Sequence, residues 1–276
     1  DSNIFFISKI SKILKFLNTE FAVLCADDDF LIPSGIIESK NFLRSNQDYS
    51  SAHGLYFNHT PFIDTNGLNK NFHIGPIHNN PKSSNENSPK ERLRRYLLGE
   101  NGIYPLYAVH RSDTFKLIWK DADNVVSDWG LVEHYPSCLS LIYGKMKILN
   151  CFYSSREPNS LTFENADTYK RMYSVQNIKK FKNGLINNFS VVCDLSKDKS
   201  KKIILPILDK WYSSEKKKII NRFKVKNSLI NRIKNVIRFR TRIYRFLYDG
   251  CHPSVYSLFN DDFKLLRESV IESKLG

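Results

Sequence analysis

"FAVLCADDDFLIP", residues 21–33, decides how this chain is read. An apolar run from Phe21 to Ala26 leads straight into Asp27, Asp28 and Asp29. A second apolar run then closes at Pro33. A short continuous apolar run suits a strand buried on both faces, as in a parallel sheet. In open α/β sheets, ligands collect beyond the carboxyl ends of the strands. Three adjacent carboxylates in apolar surroundings repel one another, and a bound cation relieves that repulsion. The alternative use of such aspartates is a helix cap or a solvated turn.

Working outward, "DSNIFFISKISKILKFLNTE" places Ile7, Ile10, Ile13, Leu14 and Leu17 at helical spacing with lysines between. After Pro33, "SGIIESKNFLRSN" predicts a helix with Ile36, Ile37, Phe42 and Leu43 as its apolar face. Residues 51–75 read as strands, and Asn66–Gly67 is a hairpin turn pair. The polar stretch 78–89 predicts a surface loop. "KERLRRYLLGENG" predicts a short helix ending near Gly99 or Gly102. "IYPLYAVHR" is strand-like, and a helix with Ser112 as N-cap follows it. Asp128 or Ser127 is placed to cap a helix running to Gly144. Pro136 makes that helix start late or kink, and "KMKILNCFY" is the next strand. The alternation predicts an α/β fold: a mixed sheet with flanking helices over residues 1–160, then a mostly helical, basic region over 161–276.

The chain has 276 residues, of which 41% are hydrophobic and 13% aromatic, ample for a packed core. No apolar run approaches the ~20 residues that span a bilayer. Five widely spaced cysteines without a CxxC argue against a disulfide framework or zinc site and for a reducing compartment. The net charge of +14 is confined to one segment. Lys197 to Arg245 holds 17 Lys and Arg against three acids, and the remainder is neutral. There is no Walker A loop, no GxGxxG, and no HExxH or HxH spacing among the seven histidines, so ATPase and dehydrogenase chemistry lack support.

Buried strand, Asp-rich end, Pro-x-Gly helix, strands, then an acidic residue opening a helix that ends Gly144–Lys145 before a strand: this order resembles a nucleotide-sugar glycosyltransferase of the GT-A fold, family-2-like. It is most similar to small bacterial and archaeal enzymes with a DDDF signature. The resemblance covers roughly residues 5–157, and "LCADDDFLIPSGI" is its sharpest part. It implies a GT-A-like (Rossmann-like) mixed sheet. The family fold begins with a βαβ half that binds the nucleotide base. Asp27 arrives too early for that half to be present, so the expectation is an N-terminally truncated catalytic region.

The resemblance implies a DxD motif. Asp29, with Asp27, binds Mn²⁺ or Mg²⁺, and Asp27 or Asp28 holds the ribose or the water shell of the metal. Hard cations take carboxylate oxygens and neutralise a departing nucleoside diphosphate. An inverting transferase also needs a carboxylate to take the acceptor's proton. The family places it at the start of a helix ending in Gly some three turns later. Glu133 matches that spacing, although the family's usual Glu-Asp pair reads Val132–Glu133 here, and Asp128 competes for the role. Arg156 is placed to reach a diphosphate, or is an ordinary surface arginine. Trp129 and Tyr135 either stack on a sugar or pack in the core. His134 either touches the acceptor or is a plain histidine.

The implied function is transfer of a sugar from a nucleotide-sugar donor to a saccharide or lipid-linked acceptor, in surface polysaccharide or glycolipid synthesis. Two alternatives stand beside it. One is a sugar-phosphate nucleotidyltransferase, which also uses carboxylate-held Mg²⁺. The other is a non-catalytic module that binds a membrane or nucleic acid through its basic tail. Residues 216–248 mix cations with apolar residues at helical spacing. Such a helix lies on an anionic membrane surface, or packs its apolar face on the catalytic region and shows its charge to water. No nucleic-acid recognition motif accompanies it. The expected location is cytoplasmic, peripheral at the inner face of the membrane.

Overall fold

A computed structural model gives the tertiary structure. It describes residues 5–27, 29–63, 70–77, 81–103, 105–127, 131–156 and 174–225, with most of 261–269. The architecture is mixed α/β. In chain order the elements are α1 (Phe6–Ile13), β1 (Phe21–Ala22), β2 (Asp29–Leu31), α2 (Pro33–Ser45), β3 (Tyr49–Ile63), β4 (Lys70–Ile77) and α3 (Pro89–Leu97). There follow β5 (Val109–Arg111), α4 (Ser112–Val125), α5 (His134–Tyr143), β6 (Lys145–Arg156), α6 (Val175–Val192) and α7 (Lys197–Val225).

The six described strands form one sheet in the order β1-β5-β3-β6-β2, with β4 also on β3. Only β3 and β6 are parallel; β1–β5, β3–β5, β3–β4 and β2–β6 are antiparallel. The opening stretch therefore does not form the doubly buried parallel strand that its apolar run predicts. Its strand part ends at Ala22, and both residues of β1 are only half-buried. The cause is the neighbour. β5 has three residues, and a 3₁₀ turn at Pro105–Tyr107 precedes it, so the edge ends opposite Val23 and none remains from Leu24 onward.

After Ala22 the chain instead crosses between the two edges of the sheet. Ala22 is level with His110, Ser51 and Met146, whereas Asp29 pairs with Arg156 ten residues along β6. On a flat sheet these positions would lie about 19 Å apart across the strands and roughly 30 Å along them. Seven residues reach only ~25 Å. Irregularities between β3 and β6 supply the necessary curl. The largest falls at Gly54, where a Cβ would meet the Cys151 carbonyl oxygen at 2.4 Å. The curl brings Asp29 over the carboxyl end of β6.

The helices follow local cues. Pro33 and Pro89 open α2 and α3 from the first helical turn, where a missing N–H costs nothing. Gly99 and Gly102 adopt positive φ after α3. The α5 helix starts late, at His134, and ends at Gly144. On α2, Ile36, Phe42 and Leu43 face the core as expected, but Ile37 is 51% exposed, and Ile13 beyond α1's buried face is exposed too. Ser112 is not a cap. It is the first residue of α4 after Arg111, and its buried hydroxyl has no hydrogen-bond partner among the described residues. Only Val109–Arg111 of "IYPLYAVHR" is strand. The loop before α3 is pinned rather than loose, because Ser84 is buried and exchanges backbone hydrogen bonds with Met146. The Asn66–Gly67 pair lies outside the described residues.

Arg92 ties α3 to α5. From a buried position it donates to Leu141 O and Ile142 O, at the carboxyl end of α5, and to the carbonyls of Glu86 and Asn87. Burial lowers its guanidinium to about 10. Helices α6 and α7 share the apolar cluster with α4 and α5: Phe181, Leu185 and Phe189 from one, Ile204, Leu208 and Trp211 from the other. The opposite face of α7 is cationic and exposed, including Lys197, Lys201, Lys202 and Lys210. Along its described side chains, then, α7 packs its apolar face inward. The stretch 226–248 lies outside the described residues. Among the described residues no helix is long and apolar enough to cross a membrane.

Candidate active site

The β2–β6 register sets Asp29 opposite Arg156. Their side chains form an ion pair, Arg156 Nε to Asp29 Oδ2, at 3.2 Å. The Asp29 side chain is 5% exposed and that of Arg156 24%, so both charges are largely withdrawn from water. Burial alone would lower the Arg156 guanidinium, but Asp29, Tyr107, Tyr56 and Glu133 outweigh it and leave the group raised and cationic.

Tyr107 extends the link. The Arg156 guanidinium lies 4.9 Å from the centre of its ring, in cation–π contact. The Tyr107 hydroxyl donates to Glu133 Oε1 at 2.9 Å. Its backbone carbonyl accepts from Tyr153 Oη at 2.7 Å and Tyr56 Oη at 3.3 Å, which fixes the 3₁₀ turn to the sheet. Burial above all, then the charge and hydrogen bond of Glu133, raise the Tyr107 phenol, so it stays a donor. Glu133 itself is exposed, at the residue before α5. Asp29, Arg156, Tyr107 and Glu133 thus form one continuous polar chain from a sheet edge to a helix start. The resemblance read from the sequence points to three of these four, spread over more than a hundred residues. It offers no signal for Tyr107, which sits in a segment that reads as strand.

Tyr107 and Glu133 also wall a cavity of about 260 Å³ between α3, α5 and α7. Asn101, His134 and Trp211 line it; the sequence marks His134 as a residue that touches the acceptor or is a plain histidine, and gives no signal for Asn101 or Trp211. The His134 ring packs against Trp211 at 5.6 Å between centres, and burial lowers its imidazole, which favours the neutral form. Tyr135 is a core residue instead. It is fully buried, and its hydroxyl donates to Asp121 on α4.

Asp27 is exposed, in the turn before β2. Asp28, Asp128 and Trp129 lie outside the described residues. Among the described residues, no three His, Cys, Asp or Glu side chains gather in a group able to hold a metal ion. A protein-only cage is therefore not formed by them, and Asp29 already bears the Arg156 cation. The donor set does fit the other mode of binding Mg²⁺ or Mn²⁺, in which one or two carboxylates act together with substrate phosphates.

No protein-family model matches the chain, and no curated protein matches it.

Proposed function

We propose that this chain is the catalytic region of a metal-dependent, inverting glycosyltransferase that uses a nucleotide-sugar donor. The observation that carries the reading is the Asp29–Arg156–Tyr107–Glu133 chain, of which Tyr107 and Glu133 also line a cavity. It offers the two things such a transfer needs. One is a fixed cation at the edge of the sheet for a diphosphate leaving group. The other is a carboxylate held by a phenol, able to take a proton from an acceptor hydroxyl. Asp27 and Asp29 would hold the divalent cation together with the donor's phosphates, and the cation would neutralise charge as the sugar–phosphate bond breaks. Glu133 removes the acceptor proton as that oxygen attacks the anomeric carbon, and the nucleoside diphosphate departs. The acceptor is a saccharide or a lipid-linked saccharide. The exposed cations of α7 favour work at an anionic membrane surface on the cytoplasmic side.

The test is thermal stabilisation by UDP, GDP, CDP and dTDP, each with and without Mn²⁺, on wild type and Asp29→Ala. Stabilisation by one nucleotide, dependent on metal and on Asp29, supports the reading and names the donor base. No response to any nucleotide, or an equal response in the variant, removes it. Stabilisation by nucleoside triphosphates, with pyrophosphate release from a sugar phosphate, would favour a nucleotidyltransferase instead.

A further inference from the structure

Three large apolar residues stand out in water on two neighbouring helices. Ile13 is 60% exposed, Phe16 73% and Leu117 53%. Ile13 ends α1, which runs on into a 3₁₀ turn, Leu14–Phe16, and Leu117 lies within α4. The two helices pack side by side in opposite directions. Near one end Ser8 Oγ donates to Asp123 Oδ1 at 2.6 Å, and at the other Ser112 N donates to Glu20 O at 3.1 Å. Counting inward from those contacts sets Leu117 level with the segment between Ile13 and Phe16. A single exposed apolar side chain needs no explanation, whereas three at one level on adjacent helices form a patch.

The patch is ringed by cations. α1 turns Ile7 and Ile10 into the core, and Lys9, Lys12, Ile13 and Phe16 fall at helical spacing on its outer face. α4 buries Phe115, Ile118, Trp119 and Ala122 and shows Leu117 and Lys120. Lys15 is exposed as well, with its Nζ 4.9 Å from the centre of the Phe16 ring, and Lys116 is half-buried. Of the nearby acids, Asp121 turns inward to Tyr135 and Asn188, and Glu20 is bound to Arg44. Asp113 and Asp123 are the exposed acids of α4, against these lysines of both helices.

Apolar side chains framed by lysine match one kind of partner. An anionic lipid surface takes the ammonium groups at its headgroups and the apolar groups at the acyl boundary. A second copy docked face to face would set the lysines against their own equivalents. The segment 226–248 carries Lys and Arg and no acid, so its charge does not complement the patch either. α7 shows lysines to water, but among its described side chains no large apolar residue is exposed, so it attracts a membrane without entering it. We infer that the outer face of α1 and α4 is a docking surface for an anionic membrane, with Ile13, Phe16 and Leu117 entering the headgroup layer and the lysines meeting its phosphates. The inference goes beyond the proposed function and does not depend on the reaction.

The experiment is co-sedimentation of the full chain with vesicles of equimolar phosphatidylcholine and phosphatidylglycerol, and with vesicles of phosphatidylcholine alone. The paired variants are Phe16→Ser with Leu117→Ser, Lys9→Glu with Lys12→Glu, and Lys201→Glu with Lys202→Glu on α7. Wild type should bind the anionic vesicles, and each of the first two pairs should weaken that binding at least about tenfold. The α7 pair should weaken it less than either. In Phe16→Trp, brominated acyl chains should quench emission beyond the level seen in wild type. Melting temperatures should stay level, because every altered side chain is exposed. Absence of binding to anionic vesicles would overturn the inference, as would equal binding to the neutral ones. So would wild-type binding by either of the first two pairs, loss confined to the α7 pair, or no added quenching. A fall in melting temperature of the serine pair would place those residues in the core. A dimer in the ultracentrifuge that the serine pair dissolves would assign the face to a second copy. No readout needs a donor. Vesicle binding with no response to any nucleotide keeps the surface and removes the transferase reading, and the converse removes the surface alone.

Discussion

Arg156→Met removes the guanidinium from beside Asp29 while keeping most of the side chain's stem. Breaking a buried pair by deleting one partner costs about 3–5 kcal/mol. Here Arg156 is 24% exposed and partly screened, so the expected cost is about 2–3 kcal/mol, including the lost contact with the Tyr107 ring. Asp29→Asn keeps an oxygen for Nε but loses the charge, and should cost about 1–2 kcal/mol. The double variant then decides the matter. If the two side chains act as one pair, the single costs exceed the double by a coupling energy of about 1–1.5 kcal/mol. Urea unfolding followed by far-UV circular dichroism measures all four proteins, with unchanged slopes showing that only stability has moved. The coupling should persist at raised salt, because the Asp29 side chain is only 5% exposed. Additivity within ~0.5 kcal/mol, or a coupling that salt abolishes, would refute the pairing and with it the frame on which the site is built.

Glu133→Gln should lower transfer at least ~100-fold, in line with loss of a general base, with little change in melting temperature because the residue is exposed. Tyr107→Phe keeps the ring over Arg156 but frees Glu133, and should lower kcat with less effect on donor binding. Equal activity in either variant, measured by donor turnover, would remove Glu133 from the chemistry. Gly35→Ala should destabilise by about 1–3 kcal/mol, since its Cβ would meet the Phe152 carbonyl oxygen at 2.3 Å and α2 must lift from β6. An unchanged urea midpoint would contradict that packing. His53 and His110 are buried, and burial first of all pushes each imidazole down to about 4. An unfolded chain takes up those protons near ~6.5. Stability is therefore full above that pH and falls as pH drops from ~6.5 toward 4, by up to ~1.4 kcal/mol per unit for each group. Urea midpoints that stay level between pH 7.5 and 5 would show that these imidazoles are not held neutral.

The helices were legible because their cues are local. Pro33 stands at the start of one helix, Gly99 and Gly144 follow or end two others, and apolar residues recur at helical spacing in α1 and α2. Strand identity was less legible. The apolar run at 21–26 carries β character, but whether it pairs depends on the length of a neighbour nearly ninety residues away. Ile37 shows the same limit, since a helical pattern fixes a face but not how far the partner layer extends over it.

The candidate site divides in the same way. Asp29, Arg156 and Glu133 could be named singly, because the resemblance implies roles for an acid after the apolar run, a basic residue after the last strand it covers and an acid at the start of a helix. That they are joined, and that Tyr107 joins them, could not be read there. The joining requires β2 to pair with β6, the sheet to curl at Gly54, and a 3₁₀ turn to present one ring to both Arg156 and Glu133. The sequence by itself determined the α/β alternation, the helix ends marked by Gly99 and Gly144, and the confinement of charge to one segment, since each depends on residues a few places apart. Only the tertiary structure decided which strand edge Asp29 joins and which aromatic links the charges. Those follow from strand register and close packing, which bring distant residues to within a hydrogen bond of one another.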